Sequence, residues 1–343
     1  MKATIKDIAS ASGVSVTTVS LVLNDRPNTI SEATKKRIFD VAKSLDYIPN
    51  HMAKSLVTKQ SKMIGLVVPD IGNNFFADLA KNIENECQRS DYSLILANAN
   101  NSLSETVKYV EQFISRGVDG LILAFYTDEK QNTKEQLIDK LNNYDIPIVT
   151  VDSWIKGLNM PGVSIHHSRG GYMATKHLIE QGHKRIGCIT GMNGNYSSDR
   201  RLKGYMLALK EAGIEETRDF VEEGDYQYNS GYLGALKLID KGVSAIFACN
   251  DLMAYGCYQA IKEKNLKVPD DISVVGFDDL LFSKMLSVPL TTVYQDINIL
   301  GSKATELIID YIKNGLSKSE FYRLDPTMVI RESTKKVQWE EGI

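Results

Sequence analysis

Cysteine is scarce in this 343-residue chain, and Cys87, Cys188, Cys249 and Cys257 are too scattered for any pair to have the spacing of a zinc knuckle or redox motif. They read as buried thiols of a reducing compartment. The opening run Met1-Lys2-Ala3-Thr4-Ile5-Lys6-Asp7 lacks the apolar stretch of a secretory signal. No later segment approaches the roughly 20 apolar residues of a membrane span. A cytoplasmic protein without membrane contact is therefore expected. Enzymatic signatures are missing as well: there is no Gly-x-Gly-x-x-Gly after a strand-like run, no phosphate loop ending in Gly-Lys-Ser or Gly-Lys-Thr, and no Gly-x-Ser-x-Gly elbow. His166 and His167 are adjacent, so on a strand they face opposite ways and make a poor metal pair. His177 and His183 fall on or just after a helix pattern, where a satisfied or solvated imidazole is expected. No catalytic group, cofactor or metal is expected.

The composition that remains is 43% hydrophobic and 24% charged, that of a globular protein, and the length suits two or three domains. The net charge of -3 hides a division along the chain. Residues 1–62 carry ten Lys and Arg against five Asp and Glu, whereas the remainder is acidic by eight charges. A basic head on an acidic body favours a polyanion at one end only.

Within the head, Thr4 and Asp7 form a variant of the capping box, and Ile5, Ile8 and Ala9 then share one helix face. Gly13 ends that helix. Ser15 caps a second, in which Val16, Val19 and Leu23 are expected to point inward, leaving Thr17, Thr18, Ser20, Leu21 and Asn24 more exposed. Ser31 starts a third, with Ile38, Val41, Ala42 and Leu45 on its apolar face. Three helices with this turn form a helix-turn-helix pattern, whose second helix enters the major groove of DNA. A small helical bundle used for protein contact has the same spacing. Lys2, Lys6, Arg26, Lys35, Lys36, Arg37 and Lys54 could meet phosphates or be solvated charges.

The segments Ala3-Thr4-Ile5-Lys6-Asp7-Ile8-Ala9, Gly13-Val14-Ser15, Thr18-Val19-Ser20 and Asn50-His51-Met52-Ala53-Lys54-Ser55-Leu56 resemble the lactose-repressor (LacI/GalR) family of bacterial transcription regulators. The resemblance extends over essentially the whole chain. It implies a ligand-responsive repressor that binds a near-palindromic double-stranded operator as a homodimer, because symmetric half-sites need two heads. It also implies that Asn50 to Leu56 is a hinge helix, with Asn50, Ala53 and Lys54 at the DNA and Leu56 entering the minor groove. A segment so short cannot stay helical alone but could do so against a partner and DNA. An ordinary linker with a buried leucine is the alternative. The family's base-reading positions fall at Val16, Thr17 and Leu21, and an apolar Leu21 can pack on a thymine methyl but cannot hydrogen-bond a guanine edge. Some members also bind a phosphocarrier protein as corepressor, which these residues leave open.

From Met63 onward, strand-like runs alternate with helix-like stretches at the spacing of parallel β-α-β units. The expected fold is a small all-α head joined to a two-lobed α/β body with parallel sheets, which the resemblance likens to periplasmic binding proteins. The expected divisions are a DNA-binding domain over 1–49, a hinge and linker over 50–60, a first lobe over 61–161 plus about 291–321, a second lobe over 162–290 plus about 322–332, and a tail over 333–343. Residues 163–165 are thus assigned to the second lobe. The tail is short and polar, without heptads, although a tetramer is not excluded by it.

Open parallel sheets bind ligands beyond the carboxyl ends of their strands. Those ends carry Asp70 with Phe75 and Phe76, then Asp152, Asp225 with Tyr226, Asn250 with Asp251, and Asp278 with Asp279. Any single Asp there could only cap the next helix; five ends of the same character point to a cleft lined by acids, amide and aromatics. By resemblance, Arg201 and Asp278 match effector-binding residues of the family, and Asn250 and Tyr226 match further contacts. The expected effector is a sugar or sugar phosphate. The Phe75-Phe76 pair makes a purine or nucleoside acting as corepressor the alternative. A solute-binding protein without DNA function would carry an export signal and no helix-turn-helix.

Overall fold

The computed structural model describes residues 3–24, 27–48, 60–126, 133–215, 218–315 and 320–337. Its contacts divide the chain into two units, Met1–Ser61 and Lys62–Ile343.

In the first unit, α1 (Ile5–Ser12), α2 (Val16–Leu23) and α3 (Glu32–Ser44) each begin at a capping hydroxyl. Thr4 and Asp7 cap reciprocally: the Asp7 amide donates to Thr4 Oγ1 at 3.4 Å and the Thr4 amide to Asp7 Oδ2 at 2.8 Å. Gly13 closes α1 at φ +66°, a left-handed conformation that a side chain would strain. Ser15 and Ser31 accept from the Thr18 and Thr34 amides. The core consists of Ile8, Ala9, Val19, Val22, Ile38 and Ala42. Val16 departs from expectation, being 45% exposed, while Val22 takes the buried place three residues after Val19. Side chains tilt toward a helix's N-terminus, so a residue in the first position projects past the core. Leu45 likewise ends α3 exposed. The hinge residues Asn50, Ala53, Lys54 and Leu56, with Lys2 and Arg26, lie outside the described residues.

Among its described residues the second unit holds two six-stranded sheets. The first is built from β1 (Met63–Val68), β2 (Ser93–Asn98), β3 (Gly120–Leu123), β4 (Ile148–Val151), β5 (Gly162–Ile165) and β11 (Phe321–Leu324), in the order β11-β5-β4-β3-β1-β2 and all parallel. The second comprises β6 (Ile186–Thr190), β7 (Val221–Glu223), β8 (Ala245–Ala248), β9 (Ser273–Asp278), β10 (Thr291–Tyr294) and β12 (Thr327–Val329), in the order β12-β10-β9-β8-β6-β7, with only β12 antiparallel. Helices α4 (Asn74–Arg89), α5 (Leu103–Ser115) and α6 (Thr133–Asn143) follow strands of the first sheet, and α7 (His167–Glu180), α8 (Tyr196–Glu211), α9 (Tyr228–Asp240) and α10 (Asp251–Glu263) belong to the second. The inner strands β3, β4 and β8 are buried along their whole length, as expected where both faces are covered.

Three expected lobe boundaries are corrected by this topology. Residues 162–165 form β5, which pairs with β4 and so belongs to the first sheet. Residues 291–294 form β10, which pairs with β9 in the second; only α11 (Ile297–Asn314) and β11 return to the first lobe. Strand 321–324 therefore lies in the first sheet and strand 327–329 in the second. Four-residue strands carry no signal of which sheet they join, because pairing is settled by partners distant in sequence. The chain thus passes between lobes near 166, 295 and 325. All four cysteines are buried free thiols, and no described helix is long and apolar enough to cross a membrane.

Candidate functional site

In the head, α2 presents Val16 and Thr17 to solvent, while Thr18, Ser20, Leu21 and Asn24 are half-buried. Several of these polar groups also hold the helix together. Asn24 Nδ2 donates to the Ser20 carbonyl at 2.9 Å, Thr18 Oγ1 lies 2.8 Å from Ser15 Oγ, and the exposed Thr4 hydroxyl donates to Asp7 at 2.8 Å. The surface on offer is small, neutral and partly apolar, suited to thymine methyls and base edges.

In the body, strand ends of the two sheets face each other across the lobe boundary. Asp70, following β1, accepts from the Gly72 amide at 2.9 Å and from Gln227 Nε2 of the second lobe at 3.0 Å. Tyr126, after β3, stacks on Tyr226, after β7, with ring centroids 5.4 Å apart. Phe75 and Phe76 are buried in the first lobe's core, and Phe76 meets Tyr126 edge-on at 5.9 Å, so the phenylalanine pair backs the tyrosine stack. Trp154 lies against Tyr196 at 5.8 Å across the same boundary.

Deeper, the close approach of α7 and α8 places Arg201. A Cβ on Gly171 would come within 2.1 Å of the Arg201 carbonyl oxygen, and one on Gly204 within 2.1 Å of that of Ser168, so these contacts require glycine. Arg201 is 3% exposed; its Nη1 donates to the Cys249 carbonyl, and Nε lies 3.4 Å from His167 Nδ1. Its guanidinium lies 3.7 Å from the Phe277 ring centroid and 3.9 Å from Asp278 Oδ1. Burial opposes the arginine's charge, but Tyr226, Asp278 and Asp152 around it raise its pKa overall. Burial lowers the pKa of His167, so the ring is neutral. With Nδ1 accepting from Arg201, the proton belongs on Nε2, which stands 2.9 Å from Asp152 Oδ1 and 3.1 Å from Ser164 Oγ. Asp278 is held by Gln295 Nε2 at 2.6 Å, and burial pushes its carboxyl well above the usual range. Asn250 caps α10 by accepting from the Met253 amide and donates to the Tyr226 carbonyl, both at 2.9 Å.

The structure therefore brings Asp70, Asp152, Arg201, Tyr226, Asn250 and Asp278 to one lobe boundary. Three other strand-end acids go elsewhere. Asp225 caps its own turn by accepting from the Gln227 amide, and Asp279 pairs with Arg331 at 2.6 Å. Asp251 is fully buried, accepting from the Leu280 amide, Ser283 Oγ and Thr292 Oγ1. His167 is the residue that sequence reasoning passed over. It opens α7 at a lobe crossing rather than lying within a strand, so the opposite-faces argument does not apply to it. Gln295, at the second crossing, carried no signal at all. His177 and His183 are satisfied by Thr334 and by Ser244 and Ser273, as expected.

Comparison with known proteins identifies the family. Residues 4–50 match the profile described as bacterial regulatory proteins, lacI family, and residues 61–330 match that of periplasmic binding proteins and sugar binding domain of LacI family. The chain is 36% identical to the HTH-type transcriptional repressor PurR of Pasteurella multocida, over 97% of this chain and 99% of that one. It is 35% identical to the ribose operon repressor of Haemophilus influenzae, over 96% and 98%. The lac repressor dimer bound to operator and the anti-inducer ONPF has a similar structure, with a TM-score of 0.87 at 26% identity over 98% of this chain and all of that one.

Proposed function

This chain belongs to the lacI family of bacterial regulatory proteins, and we propose that it works as an effector-controlled repressor, binding a near-palindromic operator as a homodimer. The observation that carries the proposal is the buried cluster of Arg201, His167, Asp278 and Asn250 at a lobe boundary, in a chain that also carries a helix-turn-helix. The head reads DNA through Val16, Thr17 and Leu21, with its basic side chains against phosphates. The small molecule sits among Asp70, Asp152, Arg201, Tyr226, Asn250 and Asp278. Because Gln227 to Asp70 and Tyr126 to Tyr226 are contacts between lobes, a ligand there alters lobe closure. Closure changes the spacing of the two 50–60 segments in a dimer, and coupling of about 1–3 kcal/mol would change operator affinity about 5- to 150-fold. Kinship with the ribose operon repressor supports a sugar effector; kinship with PurR and the tyrosine stack support a purine as the second reading.

The test is a gel shift on the palindromic site upstream of the gene. A specific complex whose affinity falls steeply with salt, and changes with a ligand from the panel below, is expected. A chain that binds that site no better than random duplex, with or without candidate ligands, sinks the repressor reading.

A further inference from the structure

The charge of the lobe boundary restricts what the effector can be. Arg201 is the only Lys or Arg among the buried described residues, and three of its five N–H donors already point to the Cys249 carbonyl and His167. Against it stand the buried carboxyls of Asp152 and Asp278, with Asp70 beyond them. Arg200, stacked 5.6 Å from Tyr196, is exposed, Arg331 is taken by Asp279, and Lys81, which lines a pocket with Asp278 and Gln295, is exposed and shares it with Asp78 and Asp279. Residues 127–132, outside the described set, carry two acids and one lysine by sequence and so add no positive balance.

Helix N-termini are the other usual source of anion donors, and here they are occupied or opposed. Asn73, Asn195 and Asn250 fill the first turns of α4, α8 and α10 with their own side-chain oxygens. No side chain caps α7 or α9, yet each has a carboxyl against its start: Asp152 is 2.9 Å from His167, and Asp70 is bonded to Gln227. What the boundary offers in excess is acceptors, including Gln295 Oε1, which is buried without a hydrogen-bond partner. Bringing a phosphate dianion into such surroundings would bury charge without a counterion.

We propose that the effector is an uncharged, donor-rich ring compound, a free sugar or a nucleobase, and that the site rejects the phosphorylated forms of the same compounds. The inference rests on the reading of this boundary as the effector site. Hydroxyls of a sugar or ring N–H groups of a base satisfy the carboxylates and the Gln295 oxygen, while the tyrosine faces take the ring.

Isothermal titration of the full chain with matched pairs tests it: D-ribose and ribose 5-phosphate, D-glucose and glucose 6-phosphate, hypoxanthine and inosine 5′-monophosphate. In at least one pair the neutral member should bind about 100-fold more tightly than its phosphate, a gap of about 2.7 kcal/mol. Asp152→Asn should narrow that ratio about tenfold by removing negative charge. A ratio is insensitive to general damage, and thermal unfolding checks that the variant folds. A phosphorylated member that binds more tightly than its neutral partner overturns the proposal, as does a panel in which no neutral member binds. Either result leaves the DNA reading to the gel shift, which is run both without ligand and with each candidate, so the two failures are distinguishable.

Discussion

At the scale of single residues, the fate of Asp251 shows what a strand-end pattern leaves undecided. Its sequence position matches that of the site acids, yet its carboxylate is fully buried beneath the 280–283 turn and takes three donors. Gly276 is the reason it fits, since a Cβ there would lie 2.2 Å from Asp251 Oδ1. Burial pushes the Asp251 pKa up from 3.8 to about 6, against the lowering effect of its hydrogen bonds. For an acid whose native pKa is raised, the native state holds the proton longer than the unfolded one. Its contribution to stability is then fully present below about pH 4 and is lost as pH rises to about 6. Urea titrations of the protein and of Asp251→Asn between pH 4 and 8 should therefore show the wild type losing stability relative to the variant up to about pH 6, then running parallel. A constant difference across the range would show that the carboxyl does not titrate in the fold. Nothing in the residue type distinguishes Asp251 from Asp278; the difference is the direction of the backbone after each strand, and Asp278 sits at φ +116°.

Local elements were legible where the signal was local. The caps at Thr4, Ser15 and Ser31 and the stop at Gly13 come from hydrogen-bond chemistry within four residues, and all four occur where expected. Sheet membership of β5 and β10 was not legible, because it depends on the crossings near 166 and 295 and no residue there announces a change of lobe. The same crossings hold His167 and Gln295, so the part of the site that went unread is the part built by topology. For α2 the two faces separate cleanly, which makes it testable as an element. Thr17→Ala, on the exposed face, should weaken specific operator binding by about 1–3 kcal/mol while leaving stability and the salt slope unchanged. Val19→Ala, in the core, should lower head stability by about 2 kcal/mol instead. Gel shifts across salt concentrations, alongside thermal unfolding of each variant, separate the effects. A Thr17→Ala protein with unchanged specificity would mean that α2 does not read bases.

For the whole molecule, the proposed homodimer requires a surface that joins two chains. The body leaves large apolar side chains exposed on one short turn, with Leu281 57%, Phe282 51% and Met285 66% exposed. A cluster of this kind is rare on a surface that stays wet and common at the centre of an interface. Its position is fixed from inside. Asp251 holds the Leu280 amide and Ser283 Oγ, Tyr255 Oη lies 2.7 Å from the same Ser283 oxygen, and the turn starts two residues after Asp278. The surface that would meet a second copy is thus tied to the strand end that would meet the effector, which gives cleft and assembly a common mechanical base. Phe282→Asp should then convert the dimer to monomers in sedimentation equilibrium, because it buries a carboxylate in an apolar interface without a partner. Operator affinity should fall at least about 100-fold, since each head alone holds only one half-site. Effector titration of the monomer should survive, because the Phe282 side chain is exposed whereas Arg201 and Asn250 are buried. A Phe282→Asp chain that sediments as a dimer and retains operator binding would place the self-association surface elsewhere on the body.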